Sequence, residues 1–434
     1  MSTALFCGLI IAVVLLIILL MGAPIAIAIG ISSIVAILPV LDTNAAFLTG
    51  AQRTFSGISV FTLIAIPFFI LAGNIMNKGG IAIRLINFAK LLTGRIPGAL
   101  AHTNVLANMM FGAISGSGVA AASAMGTIIG PIEDKEGYDK DYSASVNIAS
   151  APTGLLIPPS NVLITFSLVS GGTSVAALFM AGYVPGILWG LGCMIVAFFI
   201  ATKKGYKSSE HYNGKEAVKI VFDAIPSLLL ILIVIGGIVK GIFTATEGSV
   251  VAVVYSLILS LFFYKTIKFK DLYDIFKASA ETTGIIVLLI GVSSIMAWVM
   301  AFTGIPSAIS TALLSVSNNK IIILLIINIV LLFVGTFMDT TPAILIFTPI
   351  FLPVCAELGM DSIQFGIMLV YNLCIGTITP PVGNILFVGV RVAQSKIEDV
   401  IKPLLSYYGV IFAVLMLVTF VPAVSLWLPR LLGY

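Results

Sequence analysis

One uncharged stretch limits what this chain can fold into more than any other feature. Residues 143–202 are 60 consecutive residues without Asp, Glu, Lys or Arg, and residues 98–132 also have none. A soluble domain has charges on about a quarter of its residues, but charged residues make up 9% of this chain and hydrophobic residues 59%. So few charges cannot cover a surface that faces water. The composition therefore excludes a soluble enzyme, a nucleic-acid-binding protein and a disordered chain, and it predicts an all-α polytopic membrane protein.

The spacing of the apolar stretches predicts the membrane topology. A helical span needs about 20 apolar residues, so we expect about 11 transmembrane helices. Residues 4–21 have no basic segment before them and predict a retained first helix, not a signal peptide. The basic breaks at 203–219 and 265–277 flank two apolar stretches, which predicts that both lie on the cytoplasmic side. The amphipathic segments 77–95 and 303–320 predict helices along the membrane surface.

Cysteine and histidine usage argues against a disulfide framework or a histidine-built metal site. The chain has four cysteines, at spacings typical of neither a disulfide nor a zinc framework, and two histidines. These residues are Cys7, Cys193, Cys355 and Cys374, with His102 and His211. We expect no organic cofactor.

Rare residue types recur at a constant offset of 222 residues, which indicates an internal repeat. The matching pairs are Phe111 and Phe333, Pro131 and Pro353, Gly137 and Gly359, Asp139 and Asp361, Gly154 and Gly376, Pro158 and Pro380, and Pro159 and Pro381. After one inserted residue, Asn161 pairs with Asn384. Two related halves are typical of secondary transporters, in which the repeats are often inverted with the substrate site between them. We expect that pseudo-symmetric, inverted arrangement here.

Each half contains two segments that cannot continue as a regular helix. Pro-Pro removes two amide donors and clashes with the preceding turn, and each glycine lowers helix propensity. Backbone freed in this way is tolerated in a membrane only where it is buried in protein or faces a polar cavity. The sequence therefore predicts re-entrant hairpins with tips at Ser115–Gly118 and Asp339–Thr341, and broken helices unwound at 151–161 and 376–384.

Hydroxyls and helix-end carbonyls at such breaks suit Na⁺, a hard cation that accepts neutral oxygen ligands. We expect one sodium site at Ser115, Ser117, Gly118, Pro152, Thr153 and Gly154, and a second at Gly335, Asp339, Thr340, Thr341, Gly376 and Thr379. Helix N-termini at the breaks would attract an anionic substrate. The expected substrate-binding residues are Ser115, Gly116, Pro158, Pro159, Asn161, Thr340, Pro380, Pro381 and Asn384.

Asp339 is the most informative single residue. It is the only charged side chain between Ile321 and Ala356, and an acid in such a run is functional by default. A structural alternative is that Asp339 caps a helix starting at Thr340, and the two roles are compatible. Its mate at the repeat offset is Ser117, so the two predicted sodium sites would differ in charge.

Four motifs resemble the large membrane subunit of tripartite ATP-independent periplasmic (TRAP) transporters, and the resemblance covers essentially the whole chain. They are FGAISGSGVAAASAMGTI at 111–128, SAPTGLLIPPSN at 150–161, MDTTPAILIFTPIFLP at 338–353 and NLCIGTITPPVGN at 372–384. The resemblance implies import of an organic acid driven by a Na⁺ gradient across a bacterial inner membrane, and not an enzyme. It also implies a small four-helix membrane subunit, expected on a separate chain, and a periplasmic binding protein that delivers the substrate.

The resemblance further implies an elevator-type fold with a scaffold and a mobile transport domain. The expected boundaries are 1–95 for the first scaffold part with a surface arm helix, and 96–201 for the first transport repeat, with hairpin 111–131 and broken helix 140–175. Residues 202–320 would hold the cytoplasmic loop, the second scaffold part and its arm helix. Residues 321–434 would hold the second transport repeat, with hairpin 333–353 and broken helix 362–392, and the last helix.

Several alternatives remain open at this stage. The stretch 338–384 is most similar to the sialic-acid branch, but a C4-dicarboxylate or another carboxylate is the alternative substrate. A stand-alone Na⁺/anion carrier of the same superfamily and a channel are alternative transport modes. An intramembrane protease using Asp139 and Asp339 is disfavoured because no GxGD motif surrounds Asp339.

Overall fold

The computed structural model describes residues 3–206, 213–317 and 319–434, and His211 and the centre of the predicted polar loop lie outside these ranges. The described residues form helices and no strand. The first half contains α1 (Thr3–Leu20), α2 (Ile25–Ile37), α3 (Thr43–Ile58), α4 (Ala65–Lys78), α5 (Ile81–Thr93), α6 (Ala99–Ser115), α7 (Gly118–Lys135), α8 (Lys140–Ser150), α9 (Thr153–Leu156), α10 (Asn161–Val169) and α11 (Val175–Lys204). The second half contains α12 (Gly214–Val239), α13 (Ala245–Ile258), α14 (Asp271–Thr303), α15 (Ile305–Val316), α16 (Lys320–Gly335), α17 (Thr340–Glu357), α18 (Ser362–Gly376), α19 (Asn384–Ala393), α20 (Ile397–Phe420) and α21 (Pro422–Leu431).

Length and apolar character make eight of the described helices long enough to cross a membrane, namely α1, α4 with its preceding turn, α11, α12, α13 with its following turn, α14, α17 and α20. The segments 140–156 and 161–169, bent by 46° at the break between them, would together form a ninth. The expected number of about 11 would require further spans from the shorter apolar helices α2, α16, α18 and α19. Helices α5 and α15 lie within the two segments predicted to run along the membrane surface.

Helix contacts join segments that lie far apart in the sequence. Helix α4 packs on α13, α5 on α12, and α14 on α2 and α3. Helix α11 packs on α6, α20 and α21, and α16 packs on α18. Contacts of α5 with α6, and of α17 with α14 and α15, connect these sets of helices. The second part of each broken helix crosses to the hairpin of the other half, because α10 packs on α17 and α19 packs on α7. The two halves therefore share one core, which contains both predicted hairpins and both predicted broken helices.

The repeat is visible in backbone hydrogen bonds at the turn after each hairpin. Tyr138 N donates to Glu133 O, and Met360 N donates to Cys355 O at the same offset, each at 2.9 Å. Gly137 and Gly359 occupy the turns with φ of +78° and +71°, a conformation that glycine adopts without steric cost. Asp139 and Asp361 then stand at the N-caps of α8 and α18. The matched Gly and Asp residues thus end one helix and start the next.

The helices break at the positions where the sequence predicts breaks. In the first hairpin, α6 ends at Ser115 and α7 begins at Gly118. In the second, α16 ends at Gly335 and α17 begins at Thr340. The first broken helix is interrupted between α9 and α10 at Pro158-Pro159, and the second between α18 and α19 at Pro380-Pro381, where both Pro-Pro bonds are cis.

A backbone contact between two glycines joins each hairpin to the broken helix of its own half. A Cβ atom on Gly154 would lie 2.2 Å from Gly112 Cα, and one on Gly376 would lie 2.2 Å from the Gly335 carbonyl carbon. No side chain fits at these two contacts, because backbone atoms on the partner helix cannot move aside as a flexible side chain can. The contacts hold each hairpin against the break that follows it.

We predict that Gly154→Ala destabilises the protein, since the added methyl group overlaps backbone atoms of Gly112. Overpacking of this kind costs about 1–3 kcal/mol, which should appear as a lower melting temperature in detergent. The matched control is Gly409→Ala, because Gly409 lies inside α20 and its Cβ would meet no atom within 4 Å. Equal melting temperatures for the two variants would contradict the proposed contact.

Candidate functional site

A cavity of about 260 Å³ is lined by both hairpin tips and by the first residues of α10 and α19. Nine residues from the predicted sodium and substrate sites line it. They are Ser115, Gly116, Ser117, Gly118, Asn161, Asp339, Thr340, Thr341 and Asn384. The fold therefore brings together polar groups from four separate segments of the sequence.

Four helices begin at this cavity. Helix α7 starts at Gly118, α10 at Asn161, α17 at Thr340 and α19 at Asn384. A helix N-terminus carries about half a positive charge and exposes unpaired amide groups. Four of them around one cavity offer amide donors that can hold an anion without a cationic side chain.

Asp339 both caps α17 and connects it to the second broken helix. Its Oδ1 accepts hydrogen bonds from Thr340 N and from Asn384 Nδ2, each at 2.9 Å. Among the described residues Oδ2 has no hydrogen-bond partner, and the side chain is exposed. The capping role is thus present in the structure, and one carboxylate oxygen is still available to a ligand.

Asn161 holds the position in the first half that Asn384 holds in the second. Gly116, at the first tip, has φ of +61°, and a Cβ there would lie 2.9 Å from Asn161 Nδ2. Asn161 Oδ1 is buried and has no hydrogen-bond partner. A buried acceptor without a donor is costly, and a cation with oxygen ligands would satisfy it.

The hydroxyl groups of the first tip take part in local hydrogen bonds. Ser117 Oγ accepts from Ala120 N at 3.2 Å and caps α7. Ser115 Oγ is 3.4 Å from Ser117 O, to which it donates. Both serine oxygens retain lone pairs, so they can still act as ligands.

Backbone carbonyls fix the second tip to the break after α18. Thr336 O accepts from Val382 N and Gly383 N, each at 3.2 Å. Thr377 O accepts from Ile385 N at 3.0 Å and from Leu386 N at 3.2 Å. These bonds satisfy amides that an unbroken helix would have paired internally.

Ten predicted site residues do not line the cavity: Pro152, Thr153, Gly154, Pro158, Pro159, Gly335, Gly376, Thr379, Pro380 and Pro381. The hydroxyl groups of two of them are already used, since Thr153 Oγ1 donates to Ser150 O at 2.6 Å and Thr379 Oγ1 donates to Ile375 O at 2.7 Å. Pro159 lines a small apolar gap against α4, α12 and α13. The roles of these ten residues as ligands stay predictions. In the structure they lie where the helices break and pack.

Sequence reasoning missed the wall of the cavity that α4 and α14 supply. Asn74 and Asn77 of α4 and Thr282 of α14 line it, and Asn74 Nδ2 donates to Ser279 Oγ at 2.8 Å. Gly73 lies against the first tip, because a Cβ there would be 3.1 Å from Ser115 O. The spacing of Asn74 and Asn77 could have indicated this polar wall, because residues three apart lie on the same face of a helix.

The chemistry of the site suits a hard monovalent cation beside an organic anion. In the described part of the chain, no group of three or more His, Cys, Asp or Glu residues could hold a metal ion. The oxygen donors are instead one carboxylate, an amide oxygen, hydroxyls and helix-end carbonyls. Such a set, with a single formal charge, is typical of Na⁺ sites at broken helices.

The fold and the cavity together define a polytopic helical membrane protein of the secondary-transporter class, with paired broken helices around a central site. The family described as "Tripartite ATP-independent periplasmic transporter, DctM component" matches residues 12–424. The chain belongs to this family and is a TRAP transporter large permease. The resemblance seen in the four sequence motifs is therefore confirmed.

Several proteins are similar to this chain over most of its length. The uncharacterized protein YgiK of Salmonella typhimurium is 54% identical over 415 residues, 96% of this chain and 95% of that protein. Two Vibrio cholerae proteins are each 38% identical. They are the sialic acid TRAP transporter large permease protein SiaM, over 88% of this chain and 90% of its own length, and the C4-dicarboxylate TRAP transporter large permease protein DctM, over 95% of each.

A solved structure shares the fold. The Alcanivorax borkumensis YdaH transporter, reported to have an unusual topology, aligns with a TM-score of 0.61 at 12% sequence identity. The alignment covers 88% of this chain and 90% of YdaH. At this identity the likeness concerns the fold alone.

We predict that substitutions of Asp339 separate its capping role from its charge. Asparagine caps helices about as well as aspartate, whereas alanine at an N-cap costs about 0.5–2 kcal/mol. Asp339→Ala should therefore lower the melting temperature, and Asp339→Asn should leave it nearly unchanged. An equal loss in both variants would show that the negative charge, and not the cap, stabilises the tip.

Proposed function

We propose that this chain imports an organic acid by coupling it to a Na⁺ gradient, with N-acetylneuraminate (sialic acid) as the first candidate substrate. The observation that carries the proposal is the cavity where four helix N-termini meet a single carboxylate. The N-termini favour the carboxylate of the substrate, but Asp339 in the same wall repels it. A cation bound beside Asp339 removes that repulsion, so the cation and the anion bind better together than apart.

Two groups of residues would hold the cation. Near the first tip these are Ser115, Ser117 and Asn161, and near the second tip Asp339, Thr340 and Thr341. Of these residues, Asn161 contributes Oδ1 and Asp339 contributes Oδ2, and neither atom accepts a hydrogen bond from the described residues. One cation site at each hairpin tip would give at least two Na⁺ ions per transport cycle.

The polar groups on the far wall of the cavity bear on the choice of substrate. SiaM and the C4-dicarboxylate protein DctM are equally similar to this chain, at 38% identity. The hydroxyl and amide groups of Asn74, Asn77 and Thr282 on the far wall favour a substrate with many hydroxyls, because these groups can both donate and accept hydrogen bonds. Sialic acid meets that requirement better than a small dicarboxylate, which is the alternative.

In this proposal the chain works in the bacterial inner membrane with a small four-helix subunit and a periplasmic binding protein. The helix group of α6–α11 and α16–α21, which contains both hairpins, would move as an elevator against the group of α1–α5 and α12–α15. A stand-alone Na⁺/anion carrier is the alternative mode. Transport by this chain without its partners would favour that alternative.

We predict saturable, Na⁺-dependent uptake of labelled sialic acid into proteoliposomes that contain this chain and its small subunit, given a sialic-acid-binding protein outside. Replacing the Na⁺ gradient with choline should abolish uptake, since the cation is needed to offset the charge of Asp339. A parallel experiment measures uptake of labelled succinate with a dicarboxylate-binding protein outside. Uptake of succinate and not sialic acid would reject the substrate, and uptake independent of Na⁺ would reject the coupling.

We also predict that Asp339→Asn lowers Na⁺-driven uptake about tenfold or more and weakens its dependence on Na⁺ concentration, because the variant keeps the cap but loses the charge. Asp361→Asn is the matched control. Asp361 caps α18 with a similar side-chain bond, to Ile363 N at 2.8 Å, but does not line the cavity. Unchanged uptake in the Asp339 variant would remove that residue from the cation site.

A further inference from the structure

A second cavity, of about 280 Å³, lies at the opposite end of the first hairpin from its tip. Residues of α6, α7, α8 and α19 line it. At 1.5 Å per residue, the part of α7 that contributes Glu133 is roughly 20 Å from the tip. This cavity is therefore separate from the site between the hairpin tips.

Glu133 lines this cavity in an environment that should not hold a bare charge. The residue is 1% exposed, its carboxylate oxygens accept no well-aligned hydrogen bond, and the side chains that interact with it are the neutral ones of Ser143 and Asn104. Three other polar atoms that belong to residues of the cavity wall are also buried and make no well-aligned hydrogen bond: Asn104 Nδ2, Tyr138 Oη and Ser143 Oγ. These residues are 1%, 4% and 8% exposed, respectively.

Lys140 is the basic residue that lines the cavity, and it faces another acid. Lys140 lies 3.8 Å from Asp134, and both side chains are about half exposed. Lys204 forms an ion pair with Asp139, and this hydrogen bond lowers the pKa of Asp139, so that carboxyl stays ionised. The titratable groups lining the cavity besides Glu133 are Asp134, Tyr138 and Lys140, and Tyr142 of α8 and Tyr407 of α20 also lie near enough to interact with Glu133. None of them is paired with Glu133.

A buried carboxyl group without a paired cation must be neutralised, because an uncompensated charge is strongly disfavoured in a poorly solvated interior. Two ligands of the same charge can do this: a proton on the carboxyl group, or a small metal cation held by the carboxylate and the hydroxyls of Tyr138 and Ser143. The repeat mate of Glu133 is Cys355, so this acid has no counterpart in the second half.

We propose that the cavity around Glu133 is an additional monovalent-cation site, separate from the pair at the hairpin tips, that takes a proton or Na⁺. It lies where the first hairpin packs on the second broken helix. A Cβ on Gly126 of α7 would be 2.8 Å from Val392 Cγ1 of α19, and both residues line the cavity. A change in the charge of Glu133 would therefore alter the packing of α7 on α19, which joins the two halves.

The test compares Glu133→Gln with Asp134→Asn in the full-length chain, in lipid nanodiscs. The first change removes the buried acid, and the second removes an adjacent, half-exposed acid at the same cavity. Infrared spectra would follow the carbonyl band of protonated carboxyl groups as the pH rises. Exposed Asp and Glu are ionised above about pH 5.5, so a band that persists above this value reports a buried acid.

For a proton site, we expect such a band in the wild type and in Asp134→Asn, and its loss in Glu133→Gln. For a Na⁺ site, calorimetric titration with NaCl against choline chloride should show about one fewer bound Na⁺ per chain in Glu133→Gln than in the other two proteins. Either result supports the proposal. Identical infrared bands and identical Na⁺ binding in all three proteins would overturn it.

A second variant keeps the test informative if Glu133→Gln fails to fold. Ser143→Ala removes one hydroxyl from the wall, which should shift the pH at which the band disappears or weaken Na⁺ binding severalfold. No change in either measurement would count against the site. Neither measurement depends on transport, so the result stands apart from the test of the proposed function.

Discussion

The fold depends on one constraint: every backbone amide and carbonyl freed by a helix break inside a membrane needs a partner within the protein. Each half meets it by packing a hairpin directly on a broken helix, glycine against glycine, at Gly112 and Gly154 and at Gly335 and Gly376. At the second break, Thr336 O and Thr377 O accept the amides that the prolines leave exposed. The interrupted helices can therefore lie deep in the protein, with their free ends turned toward a shared cavity.

Those free helix ends set the electrostatics of the site. Four N-termini present amide groups at the cavity, and Asp339 presents a carboxylate. In the proposed function, binding of the anion and binding of the cation would be mutually dependent, because each offsets the charge that disfavours the other. The same logic makes Glu133 conspicuous, since it is a buried acid without a paired cation among the described residues.

Much of this arrangement could be predicted from the sequence because it follows from local chemistry. Pro-Pro pairs break a helix wherever they occur, so they locate both broken helices, and glycines and polar residues in apolar runs locate both hairpin tips. Asp339 stood out because charge is otherwise absent from its run. The wall of Asn74, Asn77 and Thr282, and the isolation of Glu133, could not be predicted in this way. Both depend on contacts between segments far apart in the chain.

By itself, the sequence determined that the chain is a helical membrane protein of two related halves, where its helices break, and which single acid lies at a break. Only the tertiary structure decided which broken ends share a cavity. It also decided that Asp339 contacts Asn384 and that hydroxyls such as those of Thr153 and Thr379 are used within their own helices. The reason is physical: where a helix breaks is a property of neighbouring residues, whereas the partner of a polar group depends on how separate helices pack.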